Sequence, residues 1–282
     1  MTFDIKENID IAWCPGCGNF PIRKAIIQAL EEMGMSKKEA VIVAGIGQAA
    51  KMPQYLDINA FSGLHGRAMA VAFGIKASNP SLKVIVEGGD GDMYAEGGNH
   101  FIHNIRRNID VAHLVHNNMV YGLTKGQASP TSQEGFKTPL QVDGVILEPF
   151  NPLTIALSAG ATFVARAFSS DIDKTKEIIK KAINHKGYAL VDIFQPCVSF
   201  NKVNTHKWYK ENSYYLEDDY DNTSFENAYK KALESEKYPL GVLYKKEKEN
   251  SYTENHNVYI NNKKPIIERE RDIRKVNKLI NS

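Results

Sequence analysis

The sequence predicts an α/β fold in which a mostly parallel sheet carries helices on both faces. Short apolar segments suited to buried strands alternate with helical patterns between residues 19 and 245, which is typical of βαβ units. The chain has 282 residues and 43% hydrophobic content, enough to bury a large core. We therefore expect one domain over residues 1–245, followed by a charged C-terminal extension over residues 246–282.

The first half of this pattern follows a Gly- and Pro-containing loop over residues 1–19. Asn19 is expected to cap a helix that has Pro21 in its first turn and ends near Gly34. Apolar runs and helical spacing then predict these elements: a strand at 41–45, an Ala-rich helix at 67–78, a strand at 83–87, a helix at 94–107 and a strand at 110–116.

The second half begins after residues 121–152, a long loop of the kind that is usually functional inside a domain. The same reasoning then predicts these elements: a helix at 153–159, a strand at 162–168, a helix capped by Asp171 and ending at Gly187, a strand at 188–194, a helix at 225–233 and a strand at 240–243. Beyond Lys245 the chain is charged and Asn-rich, so we expect a tail that is poorly ordered or lies on a partner.

Charge and composition exclude several classes of protein. The formal net charge of +2 gives no basis for binding nucleic acid or an anionic membrane. No apolar run is long enough to span a bilayer, and the N-terminus has no signal-peptide pattern. We expect a cytoplasmic protein. In that reducing compartment the Cys14-Pro-Gly-Cys17 spacing favours metal or redox chemistry over a structural disulfide.

Two short motifs follow neighbouring strands and predict a cofactor site. Gly89-Asp90-Gly91 comes after one buried strand, and Asn118 follows the next. The carboxyl ends of parallel strands share one edge of the sheet, where ligands bind. Asp90 and Asn118 offer the oxygen ligands that Mg²⁺ requires, while the glycines let the backbone approach a phosphate. Gly-Asp-Gly alone also makes ordinary turns, but the pair at this separation predicts a thiamine diphosphate-binding fold.

Several motifs together resemble one family over residues 10–245. In chain order they are Trp13-Cys-Pro-Gly-Cys-Gly18, Gly45-Ile-Gly47, Leu64-His-Gly-Arg67, Gly89-Asp-Gly91, His116-Asn-Asn118, Tyr121-Gly-Leu-Thr-Lys-Gly-Gln127 and Gln195-Pro-Cys197. Their order and spacing resemble the β subunit, which binds thiamine diphosphate, of 2-oxoacid:ferredoxin oxidoreductases.

This resemblance implies the metal and diphosphate ligands. Asp90 and Asn118 would be the side-chain ligands of Mg²⁺, and Val120 would supply a backbone carbonyl. Gly91 and Asp92 would present backbone N–H groups to the diphosphate.

The same resemblance implies roles around the cofactor and the substrate. His65 would contact a phosphate, and Leu123 and Thr124 would border the cofactor. Lys51 would meet the substrate carboxylate. A solvated loop histidine is the alternative interpretation of His65, and a surface lysine that of Lys51.

The cysteines depart from the family pattern. By the resemblance, Cys14, Cys17 and Cys197 are ligands of an iron–sulfur cluster such as [4Fe-4S], but Gln48 replaces the fourth cysteine after Gly45-Ile-Gly47. A three-iron cluster, a cluster with a different fourth ligand, a zinc site or a lost cluster remain as alternatives.

The function implied by the resemblance is thiamine-dependent, CoA-acylating oxidative decarboxylation of a 2-oxoacid, of the pyruvate or 2-oxoglutarate class, with electrons passed to ferredoxin. In the family an α subunit supplies the glutamate that activates the thiamine ring, so we expect a heterodimer that is active only when assembled. Two alternatives are a different thiamine-dependent decarboxylase subunit, which would have no use for the cysteines, and a non-catalytic metal- or nucleotide-binding module.

Overall fold

An eight-stranded sheet organises the computed structural model, which describes residues 2–5, 9–246 and 250–282. In chain order the strands are β1 (Ala40–Ala44), β2 (Asn59–Ser62), β3 (Lys83–Gly89), β4 (Val111–Asn117), β5 (Phe163–Phe168), β6 (Tyr188–Phe194), β7 (Ser213–Tyr215) and β8 (Tyr238–Lys245). Their order across the sheet is β2-β1-β3-β4-β6-β5-β8-β7. Among the strand pairs of the described residues, β5–β8 alone is antiparallel, so the predicted mostly parallel sheet is confirmed.

Helices cover both faces of the sheet, as predicted. The α-helices are α1 (Asn19–Glu32), α2 (Ala68–Ser78), α3 (Gly98–Arg107), α4 (Pro152–Ser158), α5 (Ile172–Asn184), α6 (His206–Glu211), α7 (Phe225–Ala232), α8 (Tyr252–Asn255), α9 (Asn257–Ile260) and α10 (Ile273–Ile280). α1 and α5 pack on one face, and α2, α3, α4 and α7 pack on the other. The inner strands β1, β4 and β6 are buried along their whole length, which explains their nearly continuous apolar sequences.

The chain reverses its direction across the sheet between β1 and β3. From β1 it passes to β2 at the sheet edge, and then to β3 on the opposite side of β1. A crevice at the carboxyl ends of the strands forms at such a reversal, and ligands of α/β proteins bind there. The ends of β1, β3 and β4 therefore lie where a cofactor is expected.

Most predicted elements end within a few residues of the observed ones, but the cap at Asn19 is wrong. Asn19 is the first residue of α1 and makes no side-chain cap. Its Oδ1 instead accepts a hydrogen bond from Nδ1 of His116 at 2.8 Å, because both side chains are buried side by side.

Within residues 1–245, four short elements of the described chain were not predicted. A 3₁₀ helix spans Ala49–Tyr55, and β2, α6 and β7 are each six residues or fewer. All residues of β2 are exposed, so its sequence lacks the alternation that marks a half-buried strand. The helix predicted at 94–107 is divided into a π-helical turn, Gly91–Glu96, and α3.

The beginning of the charged extension packs on the domain. Ser251 and Tyr259 are buried, and the Tyr259 hydroxyl donates to the carbonyl of Ala77 at 2.7 Å. Of the two expectations for the extension, poor order is therefore wrong for residues 251–260, because two aromatic side chains, Tyr252 and Tyr259, tie the segment to α2. By contrast, α10 has no buried residue. The division of the chain at residue 245 stays a prediction.

None of the helices in the described ranges combines the length and the apolar character needed to span a membrane.

Candidate cofactor site

One cavity of about 80 Å³ lies at the carboxyl edge of the sheet, beside the ends of β1, β3 and β4. Its lining comes from the turns that follow these three strands and from one loop histidine: Ile46, Gly47, Gln48, Ala49, His65, Gly89, Asp90, Gly91, Asp92, Asn118, Val120, Tyr121, Gly122, Leu123 and Thr124. Every residue predicted to bind the cofactor or Mg²⁺ is in this group. Parallel register explains the convergence, because Gly89 of β3 is paired with His116 of β4.

Asp90 is one of two buried carboxylates of the cavity, together with Asp92. Asp90 follows β3 directly and is 1% exposed. Its Oδ2 accepts a hydrogen bond from the Thr131 hydroxyl at 2.6 Å. Burial raises the pKa of Asp90 to about 6, although hydroxyl donors from Ser129 and Thr131 act in the opposite direction. A divalent cation beside this carboxylate would favour its ionised form, which is the form that binds metal.

Asp92 shapes the wall of the cavity with its side chain. Its carboxylate accepts backbone N–H groups from Gly66 at 2.6 Å and from Ile46 at 3.2 Å. It therefore holds the turn after β1 against the loop that carries His65. Gly45 leaves the necessary room, since a Cβ there would lie 2.0 Å from Asp92 Oδ2. Burial raises the pKa of Asp92 to about 6.

Asn118 and Val120 come from the turn after β4. The Asn118 amide donates to Oε1 of Gln195 at 3.0 Å, and its Oδ1 accepts the N–H of Val120 at 3.0 Å. Between them, Met119 has φ of 57°, a left-handed conformation that is uncommon for a residue with a side chain. Such backbone strain persists where the surroundings over-determine it, and it clusters at functional sites.

The rim of the cavity carries a group of titratable side chains. Nδ1 of His65 lies 3.4 Å from Oδ1 of Asp92 and 3.4 Å from Oε2 of Glu96. The Tyr121 hydroxyl donates to Glu96 at 3.1 Å. The His65 side chain is 37% exposed, while its Nδ1 is buried toward Asp92 and Glu96, so the rest of the ring faces the opening. This position suits contact with a ligand that enters from solvent.

Three further predicted residues occupy the outer parts of the site. Leu123 and Thr124 are exposed and line the cavity from the loop after β4. Lys51 is half-buried in the 3₁₀ helix Ala49–Tyr55, and it lies two residues beyond Ala49, which lines the cavity. Lys51 itself is not among the lining residues.

The three cysteines meet at a second, smaller cavity. Cys14, Cys17 and Cys197 line a space of about 30 Å³ together with Gln48, which also lines the first cavity. Gln48 Oε1 is buried and has no hydrogen-bond partner among the described residues. Cys17 Sγ accepts a hydrogen bond from Gln195 at 3.3 Å, and burial raises the pKa of its thiol to about 11.

The two donor sets differ in how well they fit the groups that the resemblance implies. A carboxylate, an amide oxygen and a backbone carbonyl are hard oxygen donors, and this chemistry fits Mg²⁺. The second cavity fits a four-iron cluster only in part, because one of its four positions is an amide and not a thiol. Within residues 2–5, 9–246 and 250–282, no group of three His, Cys, Asp or Glu side chains is arranged to hold a metal ion.

Sequence reasoning missed two buried features behind the cofactor cavity. One is Thr131, a hydroxyl residue in a long irregular loop, which no pattern distinguishes from its neighbours. The other is the pair Arg166 and Asp192, joined by a 3.1 Å salt bridge and paired in the register of β5 and β6. The sequence did contain a signal for this pair, because Arg166 and Asp192 are each the one charged residue of an otherwise apolar strand.

Comparison with known families gives a consistent result. Residues 33–193 match the family described as the C-terminal TPP-binding domain of thiamine pyrophosphate enzymes. Residues 197–261 match the C-terminal region of the pyruvate ferredoxin oxidoreductase β subunit.

Individual relatives are similar over most of their length. The 2-oxoacid:ferredoxin oxidoreductase subunit beta of a Sulfolobus species is 45% identical over 256 residues, covering 86% of this chain and 84% of that protein. The 2-oxoglutarate synthase subunit KorB of Archaeoglobus fulgidus is 40% identical, covering 70% and 73%. A solved 2-oxoglutarate:ferredoxin oxidoreductase from Magnetococcus marinus, with 2-oxoglutarate, coenzyme A and succinyl-CoA bound, superposes with a TM-score of 0.91 at 34% identity. That match covers 98% of this chain and 94% of the solved chain.

Proposed function

The chain belongs to the β subunits of the 2-oxoacid:ferredoxin oxidoreductases, and we propose that its 80 Å³ cavity holds the diphosphate of thiamine diphosphate through Mg²⁺. The proposed ligands of Mg²⁺ are the side chains of Asp90 and Asn118 and the carbonyl of Val120. The substrate is a 2-oxoacid of the pyruvate or 2-oxoglutarate class, and coenzyme A accepts the acyl group.

The observation that supports this proposal is the common location of residues chosen from separate motifs. His65, Asp90 and Asn118 come from separate motifs that are far apart in the sequence, and they line the same cavity. Two unrelated turns would have no reason to converge in this way.

Thiamine diphosphate, when bound, supplies the electron sink for decarboxylation of a 2-oxoacid. The chain's own residues bind and orient it. Asp90 brings the negative charge that a divalent cation needs, and Asp92 fixes two loops of the cavity wall through its hydrogen bonds to Ile46 and Gly66. Lys51, a cation in the 3₁₀ helix that follows the turn after β1, is the proposed contact for the substrate carboxylate.

A second subunit completes the site. The described residues that line the cavity include no glutamate, although thiamine activation in this family requires one beside the ring. We propose that an α subunit contributes it, so that the cofactor lies between the two chains. Electrons then leave for iron–sulfur carriers and ferredoxin.

The cysteine cavity is proposed as a weakened iron site. Cys14, Cys17 and Cys197 supply three thiols, and Gln48 supplies an amide, which is a poor ligand for a soft metal. We expect any cluster there to be labile toward oxygen and chelators.

The test is an anaerobic preparation of the co-expressed α–β complex, in which thiamine diphosphate, iron and sulfide are measured. A panel of 2-oxoacids is assayed with coenzyme A and a viologen acceptor. Acyl-CoA formation that depends on the acceptor is expected. Carbon dioxide release without an acceptor would instead identify a non-oxidative decarboxylase, and absence of bound thiamine diphosphate would contradict the cofactor assignment.

The role of Lys51 has its own test. Lys51→Met should raise the KM for the 2-oxoacid while leaving thiamine diphosphate affinity unchanged, because the cation is proposed to meet the substrate and not the cofactor. Lys38→Met, at an exposed lysine, is the matched control. An unchanged KM in Lys51→Met would mean that Lys51 is a surface lysine and does not contact the substrate.

A further inference from the structure

We propose that Thr131 is a positioning residue that orients the Asp90 carboxylate for Mg²⁺ and thereby connects the long loop after β4 to the metal site. This inference rests on the proposed function, since it concerns the same cation. Thr131 would touch neither the cation nor the cofactor.

The contact between Thr131 and Asp90 is short and buried. Thr131 is 3% exposed, and its hydroxyl lies 2.6 Å from Oδ2 of Asp90 and 2.8 Å from Oδ1 of Asn117. Hydroxyl groups in loops usually bond to nearby backbone. Here both partners come from the ends of two different strands, β3 and β4, so the hydroxyl joins distant parts of the chain.

A hydroxyl has one hydrogen to donate, and the carboxylate is its nearer acceptor. Hydrogen bonds to ionised acceptors are roughly twice as strong as neutral ones. We therefore assign the hydrogen to Asp90 when that carboxylate is ionised. Thr131 thereby holds Oδ2 of Asp90 in place, and the Ser129 hydroxyl is a second donor toward the same carboxylate.

The turn that carries Thr131 is itself fixed to the metal-site turn. Ser132 Oγ donates to the carbonyl of Met119 at 2.6 Å, and it accepts the N–H of Ser129 at 2.9 Å. Met119 is the strained residue between Asn118 and Val120. The turn formed by residues 129–132 therefore contacts Asp90 through Thr131 and the Asn118–Val120 segment through Ser132.

Asn117 is held from the opposite side. Its amide donates to Oδ1 of Asp192 at 3.0 Å, which also accepts from the Tyr94 hydroxyl at 3.0 Å, while Arg166 bonds to Oδ2. Because the Asn117 amide nitrogen is directed toward Asp192, its oxygen faces Thr131. The hydroxyl thus lies between two groups that are each fixed by other elements.

The test uses the co-expressed α–β complex and compares three variants. Thr131→Val keeps the shape and removes the hydroxyl, and Thr131→Ser keeps the hydroxyl. Thr138→Val makes the same change in the same loop, where the hydroxyl bonds Gln141 and does not contact Asp90. Calorimetry measures Mg²⁺ affinity in the presence of thiamine diphosphate, and kinetics separate KM for the cofactor from kcat.

Residues that support metal ligands are typically worth about 10- to 100-fold in affinity, so Thr131→Val should weaken Mg²⁺ binding by about tenfold or more. Its KM for thiamine diphosphate should rise, while kcat at saturating Mg²⁺ and cofactor stays close to that of the wild type. Thr131→Ser should restore most of the affinity, and Thr138→Val should bind as the wild type does.

Unchanged Mg²⁺ affinity in Thr131→Val would overturn the inference, and so would equal losses in Thr131→Val and Thr138→Val, because loop stability would then explain both. Failure of Thr131→Ser to recover binding would also contradict it. If the wild-type complex binds no thiamine diphosphate with Mg²⁺, the proposed function itself fails, which is a different result.

Discussion

The cofactor cavity and the cysteine cavity lie side by side at one edge of the sheet, but they differ in how completely this chain equips them. They share Gln48, Asn118 and Gly122 in their linings. In the cofactor cavity the oxygen groups are fixed by neighbours, such as Thr131 on Asp90 and Gln195 on Asn118. In the cysteine cavity the fourth position is an amide whose Oε1 has no partner among the described residues.

This difference places the two cavities on partly different elements, because the cysteine cavity is lined mainly by the N-terminal loop and the segment after β6. The turn Gly45-Ile-Gly47 contributes to the cofactor cavity mainly through its backbone, and Gly45 leaves room for the Asp92 carboxylate because it has no side chain. The next residue, Gln48, then faces both cavities. An amide in place of a thiol at this position would weaken the proposed soft-metal site, while the proposed oxygen ligands that follow β3 and β4 would stay as they are.

The largest effect on activity is expected when the α subunit is removed. The isolated chain should show no detectable 2-oxoacid oxidation, because no glutamate is among the described residues that line its cofactor cavity. The measurement is acceptor-dependent acyl-CoA formation by the purified single chain, with the reconstituted α–β complex as the control. Full turnover by the single chain would mean that this chain activates the thiamine ring without a glutamate from a partner subunit.

Asp90→Ala should produce the next largest effect. Outer-shell partners of metal sites are worth about 10- to 100-fold in affinity, so loss of a directly bound charged ligand should cost more than about 100-fold. Calorimetry of thiamine diphosphate and Mg²⁺ binding to the complex measures this. Asp218→Ala removes an exposed carboxylate as a control. Equal cofactor affinity in the two variants would show that Asp90 is only a turn residue.

Much of the fold could be predicted because its strands and helices carry strong periodic signals. The strand Tyr188–Phe194 was predicted with its observed bounds, and the cap of α5 by Asp171 is confirmed, since its Oδ1 accepts the N–H of Lys174. The elements that were missed, such as β2 and β7, are short and lie at the two edges of the sheet. There, neighbouring strands decide the structure more than local propensity does.

The candidate site was predictable where a motif marks a strand end, as at Asp90 and Asn118. It was not predictable where a residue acts through a contact across the fold. Thr131 reaches Asp90 over 41 residues of sequence, and its role depends on the path of a loop that has no periodic pattern. The cap expected at Asn19 is absent for the same reason. The Asn19 side chain hydrogen-bonds instead to His116, a buried histidine 97 residues away in the sequence.

Asn118→Ala should weaken the cofactor cavity less than Asp90→Ala does. The variant loses a neutral oxygen ligand, and Mg²⁺ usually keeps several waters, one of which can take that position. We expect a loss of about tenfold in cofactor affinity, at the lower end of the range for metal-site groups. Asn227→Ala, at an exposed position on α7, is the control. A loss as large as that of Asp90→Ala would mean that the hydrogen bonds of Asn118 to Gln195 and Val120 matter more than its ligand role.

Gln48→Cys should give the smallest change, because it adds one thiol to a cavity that already has three. A fourth thiolate completes the ligand set of a four-iron cluster, so the anaerobic complex should retain more iron and sulfide and lose them more slowly in air. Visible absorbance and iron analysis measure the gain, and Gln48→Ser separates thiol chemistry from the effect of a smaller side chain. Thiamine diphosphate affinity should fall far less in both variants than in Asp90→Ala, since Gln48 lines the cofactor cavity but is not one of the proposed Mg²⁺ ligands. If Gln48→Cys binds no more iron than Gln48→Ser, the cysteine loop no longer forms a cluster site. Electrons from the cofactor cavity must then pass directly to an iron–sulfur carrier on another subunit.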